Sequence, residues 1–198
     1  KTIRPLLQNS WPFALLITLM GLYNYVDSVM LKTMVGNSDA GIYAHGYRLF
    51  YAILMFAQIF SGVLLPFFSK NIKDKVTINL IASFTAKFLL LVAISVALLS
   101  AAYSNQVMDL MYHEKATAQS ASAFSFLMLG FIGSVLILVY GTLLTAALEL
   151  KYLNMAAFIT LCINLALNTQ LIPLYGPTGA AIATAISQLL FGTICYAI

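Results

Sequence analysis

The chain alternates between long apolar runs and short polar breaks, and this pattern predicts its architecture. Six runs reach the roughly 20 apolar residues that a membrane-spanning helix needs. They cover about residues 11–34, 42–68, 77–103, 121–148, 153–172 and 178–198. The runs lack the polar–apolar alternation of a transmembrane β-barrel strand. We therefore predict an all-α integral membrane protein in which residues 1–198 form a single bundle of six transmembrane helices.

The breaks between the runs contain residues that end or begin helices. Residues 35–41 (VGNSDAG) form a turn rich in Gly, Asn and Asp, and residues 70–75 (KNIKDK) form a charged loop. Residues 105–115 (NQVMDLMYHEK) are the longest polar connection, and residues 149–151 (ELK) are very short. Residues 173–179 (PLYGPTG) combine two prolines with two glycines, a pattern typical of one helix ending and another beginning.

Composition supports a membrane protein. Only 8% of the residues are charged and 62% are hydrophobic, whereas a soluble domain carries about 25% charged residues. The formal net charge is +4. In a chain this apolar, basic residues indicate membrane orientation and not nucleic-acid binding, so we expect no nucleic-acid partner.

The distribution of Lys and Arg predicts the orientation. One face of the predicted bundle holds six of them, namely Lys1, Arg4, Lys70, Lys73, Lys75 and Lys151, and the other holds Lys32 and Lys115. The positive-inside rule assigns the richer face to the cytoplasm, which makes both ends of this chain cytoplasmic. Because the chain begins with Lys1 and ends in an apolar run, we expect it to be part of a longer protein.

Three ionisable side chains lie inside the apolar runs: Asp27, Arg48 and Lys87. At 1.5 Å per residue, Asp27 and Arg48 are both roughly 10 Å from the outer surface, and Lys87 is roughly 15 Å deep. Since the first two helices are antiparallel neighbours, the sequence predicts an Asp27–Arg48 ion pair. Such a pair is either purely structural or part of a site, because charges inside a membrane face the bundle interior or a wet cavity.

Uncharged polar residues accompany these charges at helical spacing. Asn24 lies three residues before Asp27, and Asn79, Ser83 and Lys87 form one stripe at four-residue intervals. Thr160, Asn164 and Asn168 repeat that spacing in the fifth run. We predict that these stripes line a wet cavity. The alternatives are interhelical hydrogen bonding by the Asn stripe and a Lys87 side chain that extends toward the membrane surface.

No catalytic or cofactor motif is present in the sequence, so we expect no enzyme, no cofactor, no metal and no catalytic residue. There is no phosphate-binding Gly-rich loop, no HExxH motif and no nucleophile–base pair. Asp109, His113 and Glu114 in the outer connection are the residues that an enzyme hypothesis would use. His45 and His113 fit positions at the membrane boundary better than metal ligation.

Three stretches resemble a known family. They are YNYVDSVMLKTMVGNSDAGIYAHGYRLF (residues 23–50), YGTLLTAALELKYLNMAAFITLCINLALN (140–168) and LIPLYGPTGAAIATAISQ (171–188). Their order and spacing resemble the bacterial polysaccharide and O-antigen flippases, which belong to the multidrug/oligosaccharidyl-lipid/polysaccharide export superfamily. The resemblance matches Asp27 and Arg48 residue by residue, but it does not match Lys87, whose predicted role depends on its depth alone.

The resemblance implies a two-lobed transporter of which this chain is most of the C-terminal lobe. It implies alternating-access translocation of a polyprenyl-diphosphate-linked oligosaccharide in polysaccharide, O-antigen or lipopolysaccharide biosynthesis, in the cell inner membrane. The partners would be that lipid-linked substrate, membrane lipids and the N-terminal lobe. Arg48 and Lys87 would meet the anionic diphosphate or acidic sugars, and the Asn side chains would meet sugar hydroxyls. Asp27 would hold Arg48 or couple transport to H⁺ or Na⁺.

Three alternatives remain open from the sequence. A cation-coupled multidrug antiporter of the same superfamily would use Asp27 to carry the ion. A lipid-linked peptidoglycan precursor flippase would share the chemistry with another head group. A membrane scaffold of a glycan assembly complex would not transport at all. Two basic interior charges against one acidic charge favour an anionic substrate.

Overall fold

The structure is a computed structural model that describes the backbone of residues 3–198 and the side chains from residue 10 onward. Regular structure in this range is entirely helical. The helices are α1 (Ile3–Met34), α2 (Asn37–Lys70), α3 (Lys75–Tyr112), α4 (Ala118–Leu136), α5 (Thr142–Ala146) and α6 (Leu150–Ala197). Of the residues used to predict orientation, Lys1 lies outside the described residues, and for Arg4 only the backbone is described.

Five helical segments in the described chain are long and apolar enough to span a membrane. They are Ser10–Met34, Asn37–Lys70, Lys75–Lys115, Ala118–Ala146 and Leu150–Ala197. The fourth comprises α4, a π-helical turn at Ile137–Gly141, and α5. Six separate helices were predicted. The last two predicted helices lie within one 48-residue helical element, α6, which is interrupted by non-helical backbone at Gly176.

Helix α6 reverses its direction at Gly176. This residue has φ 55° and ψ −129°, a backbone conformation that favours glycine because it has no Cβ. The Asn164 amide lies 3.3 Å from the Ser187 hydroxyl, although a straight helix would separate these residues by roughly 35 Å. A Cβ on Gly179 would also overlap the carbonyl of Leu171. Residues 150–175 and 177–197 therefore pack side by side as a helical hairpin.

Two of the predicted breaks are shorter in the structure. Helix α3 continues to Tyr112 and is followed by a 3₁₀ turn at His113–Lys115, so most of the predicted loop 105–115 is helical. The apolar residues Val107 and Met108 pack against the core and continue the helix pattern through the polar stretch. The turn between α1 and α2 is also tight, because α2 begins at Asn37, directly after Gly36 with φ 111°.

Helix α4 lies at the centre of the bundle and packs against α2, α3 and α6, whereas α1 packs on α6 and α2. Small residues allow the closest of these contacts. A Cβ on Gly133 would overlap the backbone carbonyl of Gln188, and a Cβ on Gly192 would lie against the carbonyl of Gly133. Close backbone approach through small residues is typical of helix pairs in membranes. This contact fixes the second half of α6 against α4 and sets its position relative to α1.

Candidate functional site

The side chain of Asp27 lies at the centre of a buried polar cluster and is only 3% exposed. Its carboxylate accepts three hydrogen bonds from two other helices. The Tyr43 hydroxyl of α2 donates to Oδ2 at 2.8 Å. The Asn168 amide of α6 donates to Oδ1 at 2.7 Å, and the Thr184 hydroxyl of α6 donates to Oδ2. The carboxylate thus joins α1 to α2 and to both halves of α6.

A second layer of hydrogen bonds extends from this carboxylate along α6. The Asn168 amide is 3.0 Å from Asn164 Oδ1, and the Asn164 amide is 3.3 Å from Ser187 Oγ. The Tyr23 hydroxyl lies 2.7 Å from Ser187 Oγ. Because Ser187 donates its own proton to the Ala183 carbonyl, Tyr23 is the donor in this contact. A continuous chain of hydrogen bonds therefore joins Tyr23 to Asp27.

The Asp27 cluster has the chemistry of a site for a small hard cation or a proton. Its hydrogen-bond partners are neutral, so none of them compensates the carboxylate charge. Asn168 Oδ1 is buried and has no hydrogen-bond partner in the described part of the chain. Carboxylate, amide and hydroxyl oxygens together are the ligand type that hard cations prefer. Buried charged groups inside a membrane are costly and commonly mark ion or proton pathways.

The predicted Asp27–Arg48 ion pair is not formed. The partners of Asp27 are Tyr43, Asn168 and Thr184, and Arg48 is an exposed residue on another side of α2. Arg48 lies five positions after Tyr43 in α2, so their side chains point about 140° apart around the helix. The two residues share a depth but not a direction, and for this reason the pair does not form.

Arg48 instead lines a groove of about 320 Å³ between α1 and α2. The other lining residues are Asn24, Tyr25, Tyr47 and Tyr51. A guanidinium can bind phosphate oxygens through two parallel hydrogen bonds, and tyrosines offer flat faces and hydroxyls. This combination suits a ligand that carries both anionic phosphate and polar hydroxyl groups. Asn24 and Arg48, two of the predicted site residues, thus meet in one groove.

The predicted stripe on α3 lies elsewhere. Asn79 and Lys87 are exposed, and Ser83 is half-buried. None of these three residues is among those that line the groove at Arg48 or the larger cavity between α1 and α2. In the fifth run, Asn164 and Asn168 belong to the Asp27 cluster, whereas the Thr160 hydroxyl bonds to the carbonyls of its own helix.

Four members of the Asp27 cluster were not predicted from the sequence: Tyr23, Tyr43, Thr184 and Ser187. A signal for Tyr43 existed, since Tyr43, Gly46 and Phe50 recur at helical spacing and form the buried face of α2. Thr184 and Ser187 carry no such signal. Their contact with α1 depends on the reversal at Gly176, which spacing along the chain does not fix.

The fold and the buried carboxylate define a multi-pass helical membrane protein. Comparison with known proteins finds a family similarity over part of the chain. A family profile described as "Polysaccharide biosynthesis protein" matches residues 1–72, which comprise α1, α2 and the residues Asp27, Tyr43 and Arg48.

A membrane protein of Methanocaldococcus jannaschii, described as uncharacterized, is 25% identical over 193 residues. The alignment covers 93% of this chain and 43% of the relative, so this chain spans less than half of the relative's length. No solved structure matches the chain.

Proposed function

We propose that this chain forms most of one lobe, the C-terminal one, of a two-lobed flippase that translocates a polyprenyl-diphosphate-linked oligosaccharide. The observation that carries the proposal is the match of residues 1–72 to a polysaccharide biosynthesis family. The matched helices α1 and α2 also contribute every lining residue of the groove at Arg48. The part of the chain that resembles the family is thus the part that carries an anion-binding side chain.

The groove provides groups for both parts of such a substrate. Arg48 would bind the diphosphate, because a guanidinium keeps its charge and forms paired hydrogen bonds to phosphate. Tyr25, Tyr47 and Tyr51 would pack against sugar rings, and Asn24 would bind a sugar hydroxyl. The substrate would cross the membrane as this lobe and its partner lobe rock about the groove, in the inner membrane and by alternating access.

The experiment uses the full-length protein in proteoliposomes that contain a fluorescent polyprenyl-diphosphate oligosaccharide. Transfer is the fraction of label that becomes accessible to a membrane-impermeant quencher. We expect transfer by the native protein and a loss of about tenfold or more for Arg48→Gln, since a charged hydrogen bond to phosphate is removed. Lys87→Gln is the matched control, because it removes one exposed positive charge outside the groove. No transfer by the native protein would contradict the proposal.

The orientation is also part of the proposal. Lys70, Lys73, Lys75 and Lys151 would face the cytoplasm, as the positive-inside rule requires. A cysteine introduced at Lys73 should react with an impermeant maleimide only after the cytoplasmic side is opened. Labelling of this position in intact cells would show that it faces outward and would contradict the proposed orientation.

A second candidate is a cation-coupled antiporter of small molecules, and the Asp27 cluster favours it. A buried carboxylate with neutral partners and the unpartnered Asn168 Oδ1 suits H⁺ or Na⁺. The same cluster would serve as the coupling site of a flippase, so it does not by itself decide the substrate. Substrate transfer that requires a Na⁺ or proton gradient, and that loses this requirement in Asp27→Asn, would establish coupling at Asp27.

A further inference from the structure

A cavity of about 560 Å³ lies between α1, α2, α5 and α6. Sites for small molecules occupy about 300–1,000 Å³, so the cavity has the size of a ligand site. It opens to the surface of the bundle. Tyr23 is the member of the Asp27 cluster that lines it, whereas Asp27 itself, Arg48 and the predicted stripes do not.

The lining of this cavity is polar but uncharged. Polar side chains converge on it from five helices, α1, α2, α4, α5 and α6, and none of the lining residues in the described chain carries a formal charge. They are Tyr23, Asn24, Gln58, Ser61, Ser134, Thr142, Thr145 and Gln188. Leucines and Phe191 fill the space between them. An anion or a cation would find no countercharge here, whereas a neutral group with both hydroxyls and C–H faces would find partners for each.

Gln188 shows that one of these polar groups lacks a partner. The side chain is only 7% exposed, and its Oε1 accepts no hydrogen bond in the described part of the chain. A buried polar atom without a partner costs free energy, and most such atoms in proteins are satisfied. This oxygen lies against Gly130 of α4 and not in the cavity. The amide nitrogen, which can donate two hydrogen bonds, is the group through which Gln188 can serve a ligand in the cavity that it lines.

The wall opposite α1 departs from regular helix at the same place. The π-helical turn Ile137–Gly141 contributes Ile137, Leu138 and Gly141 to the lining. The turn is followed by Thr142, whose hydroxyl lies 2.7 Å from that of Ser61 across the cavity wall. Single π-helical turns inside α-helices occur frequently at functional sites. Here the turn widens the helix beside the cavity.

The cavity adjoins the groove at Arg48, because Asn24 lines both. A substrate with an anionic linkage and a neutral remainder could therefore occupy the two spaces at once. We propose that the cavity between α1, α2, α5 and α6 is a binding site for an uncharged sugar unit, with the Gln188 amide as a hydrogen-bond partner of a sugar hydroxyl. This inference deepens the proposed function and depends on it for the identity of the natural glycan.

The test uses the full-length protein in nanodiscs and a defined probe, octyl β-glucoside with a photoreactive diazirine in its sugar. After irradiation, mass spectrometry locates the labelled peptides. Unlabelled octyl glucoside, octanol and octyl phosphate serve as competitors. We expect labelling in the segments 16–24 and 54–65 that is competed by octyl glucoside and not by the other two. Equal competition by octanol would mean a hydrocarbon site and would overturn the proposal, as would labelling that is confined to other segments.

Two variants test the cavity without disturbing the fold. Gly62 lines the cavity, and a Cβ there would meet no atom within 4 Å, so Gly62→Leu should fill the space and reduce competed labelling about tenfold or more. Gly21→Leu is the matched control, because its Cβ is equally free and it lines neither space. Labelling that is unchanged in Gly62→Leu would contradict the proposal.

Gln188→Met keeps the side-chain length and removes the amide. It should lower the affinity for octyl glucoside about tenfold, because one neutral hydrogen bond is lost. The thermal midpoint should be unchanged or higher, since an unpartnered buried polar atom is removed. A lower midpoint with unchanged affinity would make Gln188 a structural residue and reject its role.

The labelling result and the transfer result are independent of each other. Competed labelling of the cavity together with no transfer of lipid-linked oligosaccharide would support a neutral sugar site and reject the flippase. Transfer together with no competed labelling would support the flippase and reject the sugar site.

Discussion

Replacing Asp27 tests the structural account of the buried cluster most sharply. In Asp27→Ala, the donors of Tyr43, Asn168 and Thr184 lose their acceptor. Interhelical hydrogen bonds in membrane proteins contribute about 0.6 kcal/mol each on average and about 1.7 kcal/mol at most. Three of them give a loss of about 2 kcal/mol, with an upper value of about 5 kcal/mol. That is a large part of the stability of a typical domain.

Asp27→Asn should behave differently from Asp27→Ala. An asparagine keeps one oxygen to accept from Asn168, and its amide can donate to the hydroxyls of Tyr43 and Thr184, which rotate to accept. We expect a loss below about 1 kcal/mol, within the range of a single such bond. The variant removes the carboxylate charge while it retains the hydrogen bonds. It is therefore also the variant in which cation dependence should disappear without loss of the fold.

The assay is reversible unfolding in mixed detergent micelles, followed by circular dichroism. The order of stability should be native, then Asp27→Asn, then Asp27→Ala. Exchanging the charges, with Asp27→Arg and Arg48→Asp together, should not restore stability, because these side chains do not form a pair. Asp27→Ala as stable as the native protein would refute the account of the cluster. Rescue by the exchange would show that the ion pair predicted from the sequence exists.

Three further predictions follow from particular residues. Gly133→Ala should lower stability by about 1–3 kcal/mol in the same unfolding assay, because its Cβ overlaps the Gln188 carbonyl, whereas Gly21→Ala has free space and should not; equal stabilities would deny the close contact. Lys87→Ala should leave the transfer of lipid-linked oligosaccharide within about twofold of native, because Lys87 lines neither the groove at Arg48 nor the cavity between α1, α2, α5 and α6. A tenfold loss would show that Lys87 contributes to substrate binding. Asp74 lies between the spanning segments, and hydrogen bonds from Thr77 lower the pKa of its carboxyl. Its capping of α3 is present above the unfolded-state pKa and is lost as the pH falls through the folded pKa. The protection factors of the amides at the start of α3, which are corrected for the intrinsic pH dependence of exchange, should therefore fall in acid in the native protein and stay constant over that range in Asp74→Ala; no difference between the two would contradict the cap.

The sequence was sufficient to predict where most helices lie, because a membrane helix needs a long apolar run and polar connections. The C-terminal end of α1 and the break within α6 were predicted in this way, because a polar or glycine-rich stretch follows each apolar run. The extension of α3 to Tyr112 was missed, since the polar residues after Ser104 resemble a loop although Val107 and Met108 continue the apolar face. The break at residues 173–179 was predicted from its two prolines and two glycines, and α6 reverses within this stretch, at Gly176.

The candidate site was predictable in part. The burial of Asp27 follows from a charge that needs polar surroundings in lipid. Asn168 was predicted as a site residue, but its hydrogen bond to Asp27 was not predicted. The predicted ion pair with Arg48 is wrong because position along a helix determines how deep a side chain lies in the membrane, but not the direction in which it points from the helix. That direction is set by packing, with Gly46 pressed against the backbone of Phe124 so that Tyr43 turns inward. Spacing along one chain contains no record of such contacts between helices.

The proposed function assigns this chain to a transporter of a diphosphate-linked oligosaccharide and not to an exporter of cations. One measurement separates the two: full-length protein in a single batch of proteoliposomes is given a fluorescent polyprenyl-diphosphate oligosaccharide and, in parallel, the lipophilic cation ethidium under an imposed Na⁺ or proton gradient. The account predicts leaflet transfer of the oligosaccharide that falls in Arg48→Gln, with no ethidium movement above empty liposomes. Ethidium transport that depends on Asp27, with the oligosaccharide remaining in its original leaflet, would contradict it.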